Sequence, residues 1–219
     1  MSRVLYSGTK NASSWAFRAW LALREMNIEF EERVVDIRMP QRIDNLGRIA
    51  QFSPPGAVPV LVDDGTVVFD SLAIMEYANE LGGGSLLPSD AKARAHARSL
   101  VAWQHSGLSG LCPRLSFESS FYPDRRRMTE DEVAQSGRIL RAWENELAEH
   151  GGPYLVGDLS LADLMFVPTV LRLTSHTEGL EQWPLTKAWT ERLLARAAIR
   201  EWLQEAKAQP VVRLADYLA

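Results

Sequence analysis

Ser13 and Ser14 stand side by side ahead of a helical pattern that runs from about Ser14 to Met26, with Arg18 one turn further on. Hydroxyls at a helix start accept from amides that have no partner within the helix, so capping is the first use to consider for either serine. Asp70-Ser71 is a second such place, at the point where Val67-Val68-Phe69 gives way to a helix from about Ser71 to Leu81. Val58-Pro59 opens the strand-like run Val60-Leu61-Val62, a position where proline is tolerated because an edge strand can spare an N–H. No Ser/His/acid arrangement suggests a serine nucleophile.

Other reactive residue types are sparse. Cys112 is the single cysteine, so no internal disulfide is expected. His96, His105, His150 and His176 form no i, i+4 histidine pair and have no neighbouring cysteine, and we therefore expect no metal. Gly82-Gly83-Gly84 follows a helix rather than a strand and lacks a Lys-Ser/Thr partner, which argues for a helix terminus rather than a phosphate loop. Arg125-Arg126-Arg127 reads as a solvated interhelical loop rather than an anion site. The formal net charge of −4 opposes a phosphate backbone, so no nucleic acid is expected as a partner. No run of about 20 apolar residues and no secretory apolar segment is present, so we expect a cytoplasmic protein with no membrane partner.

These residues must be positioned by two different kinds of structure. The first part alternates: strand Val4–Tyr6, the helix after Ser13, a strand over Glu29–Asp36, and an irregular or short helical stretch over Pro40–Gln51. A hairpin then joins Val58–Val62 to Val67–Phe69 through Asp63-Asp64-Gly65, since Asp-Gly supplies the positive φ of a tight turn. After about Ser89 only helical periodicity is found, over roughly 90–117, 129–149, 161–175 and 184–207. Ser160-Leu161-Ala162-Asp163 reads as a capping box, in which the Ser160 hydroxyl accepts from the Asp163 amide and the carboxylate reaches back. The expected fold class is α/β plus all-α: a βαβ-ββα domain over 1–82, a linker over 83–89 and an all-helical domain over 90–219. At 219 residues with 46% hydrophobic composition, both domains can bury a core.

That arrangement resembles the cytosolic glutathione transferase superfamily over the whole chain, in a serine-type, bacterial-like form with tau-like and zeta-like features. The match rests on Ser13-Ser14-Trp15-Ala16-Phe17-Arg18, Ser53-Pro54-Pro55-Gly56-Ala57-Val58-Pro59-Val60-Leu61, Asp70-Ser71-Leu72-Ala73-Ile74 and Gly157-Asp158-Leu159-Ser160-Leu161-Ala162-Asp163. The resemblance implies a thioredoxin-like first domain that binds glutathione as co-substrate. It implies a cis Val58-Pro59 bond, turning the Val58 backbone toward the cysteinyl backbone of glutathione. It also implies that Ser71 takes the γ-glutamyl carboxylate at a helix N-terminus and that Asp70 meets the ammonium. Many members have Glu or Gln in place of Asp70 and a basic or amide residue near Ala57.

The resemblance assigns the catalytic hydroxyl to Ser13 in a tau-like register, as a hydrogen-bond donor to the glutathione thiolate. A zeta-like register places the family serine on Asn11 and its cysteine on Ser13; Ser14, or capping alone, remains a further reading. With no cysteine at the helix start, mixed-disulfide chemistry is disfavoured. The electrophile site is expected beside Trp103, Ser106, Gly107, Gly110 and Arg114, although Trp103 suits a core equally well. The implied activity is addition of the thiolate to a small hydrophobic electrophile, a detoxification chemistry, with reduction of organic hydroperoxides by the same thiol. A non-catalytic glutathione-binding stress module and a glutathione-dependent cis-trans isomerase are the alternatives. A homodimer is implied as well.

Overall fold

Central strands bury both faces, and in β1 (Arg3–Gly8) Leu5 and Ser7 are inaccessible, Val4 and Gly8 are buried and Arg3 and Tyr6 are half-buried. The computed structural model describes residues 2–213. Among them β1 lies between β2 (Glu31–Val35), which is parallel to it, and β3 (Val60–Asp63), which is antiparallel; β4 (Thr66–Phe69) forms the far edge. Tyr6 faces Val60 across one ladder and Arg33 across the other. The β3–β4 turn places Asp64 at φ 45° and Gly65 at φ 89°, the doubly positive geometry that Asp-Gly was expected to provide.

Between the strands run α1 (Ser14–Glu25) and α2 (Arg42–Ile49), and α3 (Ser71–Leu81) follows β4. α1 and α3 pack on each other. Phe17, Leu21 and Leu23 of α1, Leu61 of β3 and Ile74, Met75 and Ala78 of α3 are fully buried. The expected strand over Glu29–Asp36 is shorter at both ends, and the stretch over Pro40–Gln51 contains a regular helix.

Two compact units divide the described residues: one holds 2–84 together with 200–210, the other 85–199 together with 211–213. Within the second, α4 (Ala91–Ala102) passes into a π-helical turn over Trp103–Gly107 and a 3-10 turn over Leu108–Gly110. The periodicity that suggested one helix over 90–117 is thus interrupted where Gly107, Gly110 and Pro113 cluster, residues that weaken or break a helix. Next come α5 (Glu130–His150), α6 (Leu161–His176), α7 (Pro184–Leu194) and α8 (Ala197–Ala208). The pattern over 184–207 is two helices, α7 and α8.

Every residue from Leu161 to Val170 is buried, the behaviour of a helix surrounded by others. Trp143 meets Phe166 and Trp189 edge-on, with centroids 5.2 and 5.1 Å apart. Asp163 starts α6 from inside this core. Its carboxylate accepts from the Ser160 amide (2.8 Å), the Ser160 hydroxyl (2.7 Å), the Leu155 amide (3.0 Å) and Trp189 Nε1 (2.8 Å). Burial pushes the Asp163 carboxyl above its ordinary range, and those donors oppose the shift. Among the described residues no helix is long and apolar enough to cross a membrane.

Candidate functional site

The loop between β1 and α1 is fixed before it reaches Ser13. The Ala12 and Ser13 amides both donate to the Thr9 carbonyl at 2.9 Å, and the Thr9 hydroxyl donates to Asp36 at 3.0 Å. Lys10, which is 2% exposed, holds the middle of the loop. Its ammonium donates to both carboxylate oxygens of Glu32 at 2.6 and 2.7 Å and lies 4.0 Å from the ring centre of Trp202. Trp202 Nε1 donates back to the Lys10 carbonyl at 3.0 Å, and its ring stacks on Phe17 with centroids 4.6 Å apart. A buried ammonium needs such compensation: a charge kept from water is tolerated only when paired and hydrogen-bonded.

Ser13 caps α1, its Oγ accepting from the Ala16 amide at 3.2 Å. Capping uses a lone pair and leaves the hydroxyl proton available to a second acceptor. Gly8 allows the approach. A Cβ placed there would lie 2.6 Å from Ser13 Cβ, 2.8 Å from its Oγ and 3.0 Å from Val58 Cγ2. The structure therefore gathers Gly8, Ser13 and Val58 at one point beside the N-terminus of α1. Ser14 is the first residue of that helix. Asn11 is committed elsewhere, its side-chain amide donating to the Pro210 carbonyl at 3.0 Å. Arg18 is buried, with its guanidinium 4.5 Å from the Trp15 ring centre.

The Val58-Pro59 bond is cis, and Met39-Pro40 is cis as well. Val58 precedes β3, which pairs with β1 from Val60 onward. At the start of α3, Asp70 has φ 74°, unusual for a residue with a side chain, and its carboxylate accepts from the Leu72 amide at 2.8 Å. The capping use of Asp70 is thus realised. Ser71 is 1% exposed, and its hydroxyl has no hydrogen-bond partner among the described residues. An unpaired buried hydroxyl costs about 1–3 kcal/mol; at a helix N-terminus it is a donor left for an anion. Ser53 presents a second such hydroxyl within the Ser-Pro-Pro-Gly segment.

Gly8, Lys10, Glu32 and Trp202 were not singled out by sequence reasoning. Gly8 ends a strand-like run with four residues between it and the serine pair, and a glycine in that place is a signal of close backbone approach. Lys10 and Trp202 are 192 positions apart and carry no local signal.

In the second unit, Trp103 is half-buried and edge-on to Phe166 at 5.7 Å, and the Ser106 hydroxyl donates to the Ala102 carbonyl at 2.7 Å. Arg114 donates to Asp131 at 2.8 Å. Cys112 lies in a turn, half-buried, with Sγ 4.0 Å from the Thr169 hydroxyl. A cavity of about 630 Å³ in this unit has Arg125, Arg126, Arg127, His176, Thr177 and Trp183 in its wall, and none of Ser13, Val58, Pro59, Asp70 or Ser71. Arg125 and Arg127 are exposed, while Arg126 is a bidentate partner of buried Glu132 at 2.7 Å. The arginine run is thus only partly a solvated loop.

Comparison with known proteins bears on the whole chain. Residues 12–81 match the family described as glutathione S-transferase, N-terminal domain, and residues 118–206 match glutathione S-transferase, C-terminal domain. A probable maleylacetoacetate isomerase of Caenorhabditis elegans is 31% identical over 87% of each chain. Glutathione S-transferase 1 of Dianthus caryophyllus is 29% identical over 87% of this chain and 86% of its own. A glutathione transferase homologue from Burkholderia, solved with bound glutathione, shares the fold with a TM-score of 0.71 at 24% identity, covering 96% of this chain and 100% of its own. With both halves matched and relatives aligned along most of its length, the chain belongs to the glutathione S-transferase family.

Proposed function

We propose that the first unit binds glutathione in extended form and ionises its thiol beside Ser13. The observation that carries this reading is the Ser13 hydroxyl, which caps α1 through its oxygen while Gly8 lets it pack closely against the end of β1 beside Val58. In this reading the Val58 backbone pairs with the cysteinyl residue and Pro59 shapes that turn. Ser71 donates to the γ-glutamyl carboxylate, and Asp70 faces the ammonium. The unpartnered Ser71 hydroxyl supports the carboxylate assignment.

A free thiol with a pKa of about 8.5 is only about 3% ionised at pH 7, and lowering it to about 6.5 raises that to about three quarters. The shift requires about 2.7 kcal/mol. One hydrogen bond to a charged acceptor contributes about 1.5–3 kcal/mol and a helix N-terminus about 0.3–1. Ser13 and the end of α1 are sufficient together. The thiolate then attacks an electrophilic carbon of a small hydrophobic substrate, forming a C–S bond as a leaving group departs or as an activated alkene takes up a proton from solvent. With an organic hydroperoxide the same sulfur breaks the O–O bond, and a second glutathione completes the disulfide, giving alcohol and water.

The similarity to a probable maleylacetoacetate isomerase favours a second reading. Here the thiolate adds to a cis-alkene acid, the new single bond rotates and the thiolate leaves again, so glutathione is not consumed. Asn11, the position of the family serine in that register, spends its amide on Pro210; Ser13 is therefore the residue assigned to the thiol in both readings.

Titrating the ultraviolet thiolate absorbance of glutathione on saturating protein tests the proposal. A bound-thiol pKa well below about 8.5 is expected. An unshifted curve overturns thiol activation and leaves only a non-catalytic glutathione-binding role; absence of binding overturns that as well. Glutathione loss measured with a cis-alkene acid and with a generic electrophile separates the two reactions, since only the transferase depletes it.

A further inference from the structure

Two helices of the second unit bring three metal-binding side chains to one point. Glu146 and His150 lie one turn apart near the end of α5, on one face of the helix, and His96 reaches them from α4. His96 Nε2 is 2.7 Å from Glu146 Oε2, and His150 Nε2 is 3.6 Å from the same oxygen. The two imidazole centroids are 5.6 Å apart, and the donor atoms of all three residues fall within 4.8 Å of one another. Expecting no metal rested on the spacing between histidines. A carboxylate and a histidine four residues apart supply two further donors that a facing helix can complement.

We propose that His96, Glu146 and His150 form a binding site for a divalent transition metal, Zn²⁺ above all, independent of the thiol chemistry. Two imidazoles and one carboxylate are an established zinc donor set that leaves a fourth position to water. Metal–donor lengths of about 2.0–2.2 Å put tetrahedral donors about 3.3–3.5 Å apart. The His150–Glu146 separation is already close to that, and the His96–Glu146 pair has to open by under about 1 Å. Side chains can make that adjustment alone: the exposures of His96, Glu146 and His150 are 43%, 18% and 27%. A simple ion pair would account for one histidine on Glu146. Two imidazole nitrogens converging on a single carboxylate oxygen instead outline a position that a cation can share with all three.

Imidazole donors select Zn²⁺, Ni²⁺ and Cu²⁺ and reject the oxygen-seeking Mg²⁺ and Ca²⁺. Because its donors come from α4 and α5, the bound ion ties those helices together. Binding to the folded state alone raises stability by RT ln(1 + c/Kd), with c the free Zn²⁺ concentration, so it grows with the logarithm of free Zn²⁺ once the site is filled.

The test is calorimetric titration of chelator-stripped full-length protein with Zn²⁺ at pH 7.5, repeated with Mg²⁺ and with Co²⁺ observed by visible absorption. One Zn²⁺ per chain is expected, with no Mg²⁺ heat and the intense visible bands of tetrahedral Co²⁺. His96→Ala and His150→Ala should each weaken Zn²⁺ at least about tenfold, since loss of an outer partner alone commonly costs that much. His105→Gln should leave binding unchanged. Glu146→Gln, close in shape, provides a variant that keeps the packing; it too should weaken Zn²⁺ while its circular dichroism matches that of the parent. No saturable uptake up to about 1 mM Zn²⁺, or uptake indifferent to His96→Ala, His150→Ala and Glu146→Gln, overturns the site.

Discussion

Ser13 performs two tasks with one hydroxyl, and substitution separates them. Ser13→Ala removes a cap worth about 1 kcal/mol and a donor to the thiolate worth about 1.5–3 kcal/mol. Turnover at pH 7 should fall about 10- to 100-fold, with a raised bound-thiol pKa in the ultraviolet titration and a small loss in urea stability. Gly8→Ala is expected to be worse for the fold, because its methyl group would sit 2.6 Å from Ser13 Cβ. A destabilisation of about 1–3 kcal/mol follows from such overpacking. Combining it with Ser13→Gly should recover at least about 0.5 kcal/mol of that loss in a double-mutant cycle, without restoring thiol activation. At this scale the sequence was legible where a hydroxyl met a helix start: Ser13, Asp70 and Ser71 all occupy the terminal positions expected of them. Gly8 and Lys10 were not, since the importance of each is set by atoms that approach from distant parts of the chain.

At the level of elements, caps written as short spacings were readable, whereas the breaks between helices were less so. α7 and α8 share an unbroken, Ala- and Arg-rich stretch with no Gly or Pro between them, so composition gives no sign of the joint. The phase does. Trp189 and Leu193 are buried on α7 and Ile199, Trp202 and Ala206 on α8; on a continuous helix the six-residue step from Leu193 to Ile199 would turn about 120° away from the buried stripe. α5 starts with a capping box in which the Thr129 amide donates to Glu132 at 2.9 Å. The Arg126 guanidinium beside Glu132 holds that carboxyl down to about 2. A carboxyl with a lowered folded-state pKa contributes stability above its unfolded value and loses it as pH falls toward the folded one. The stability difference between the parent and Glu132→Gln should therefore be fully present above about pH 5 and shrink between about pH 4.5 and 2. Urea midpoints across that range check it, and a pH-independent difference would contradict the assignment.

The whole molecule adds what neither residues nor elements provide alone. Residues 200–210 belong with the first unit although the intervening chain builds the second. Trp202→Ala should cost about 3–5 kcal/mol in denaturant unfolding. By exposing the underside of the Lys10 loop it should also raise the bound-thiol pKa, an effect that a substitution in a remote core would lack. A homodimer is expected of this family's architecture, and sedimentation at twice the chain mass tests it; a sole monomer would count against it. The placement of Trp202 also orders events in time. The ribosome delivers residues 1–84 long before residue 202, so a nascent chain can pair its four strands while the loop bearing Ser13 still lacks its cover. The site is completed only once residue 202 has emerged, and chains released before that point would carry the sheet without a finished binding loop.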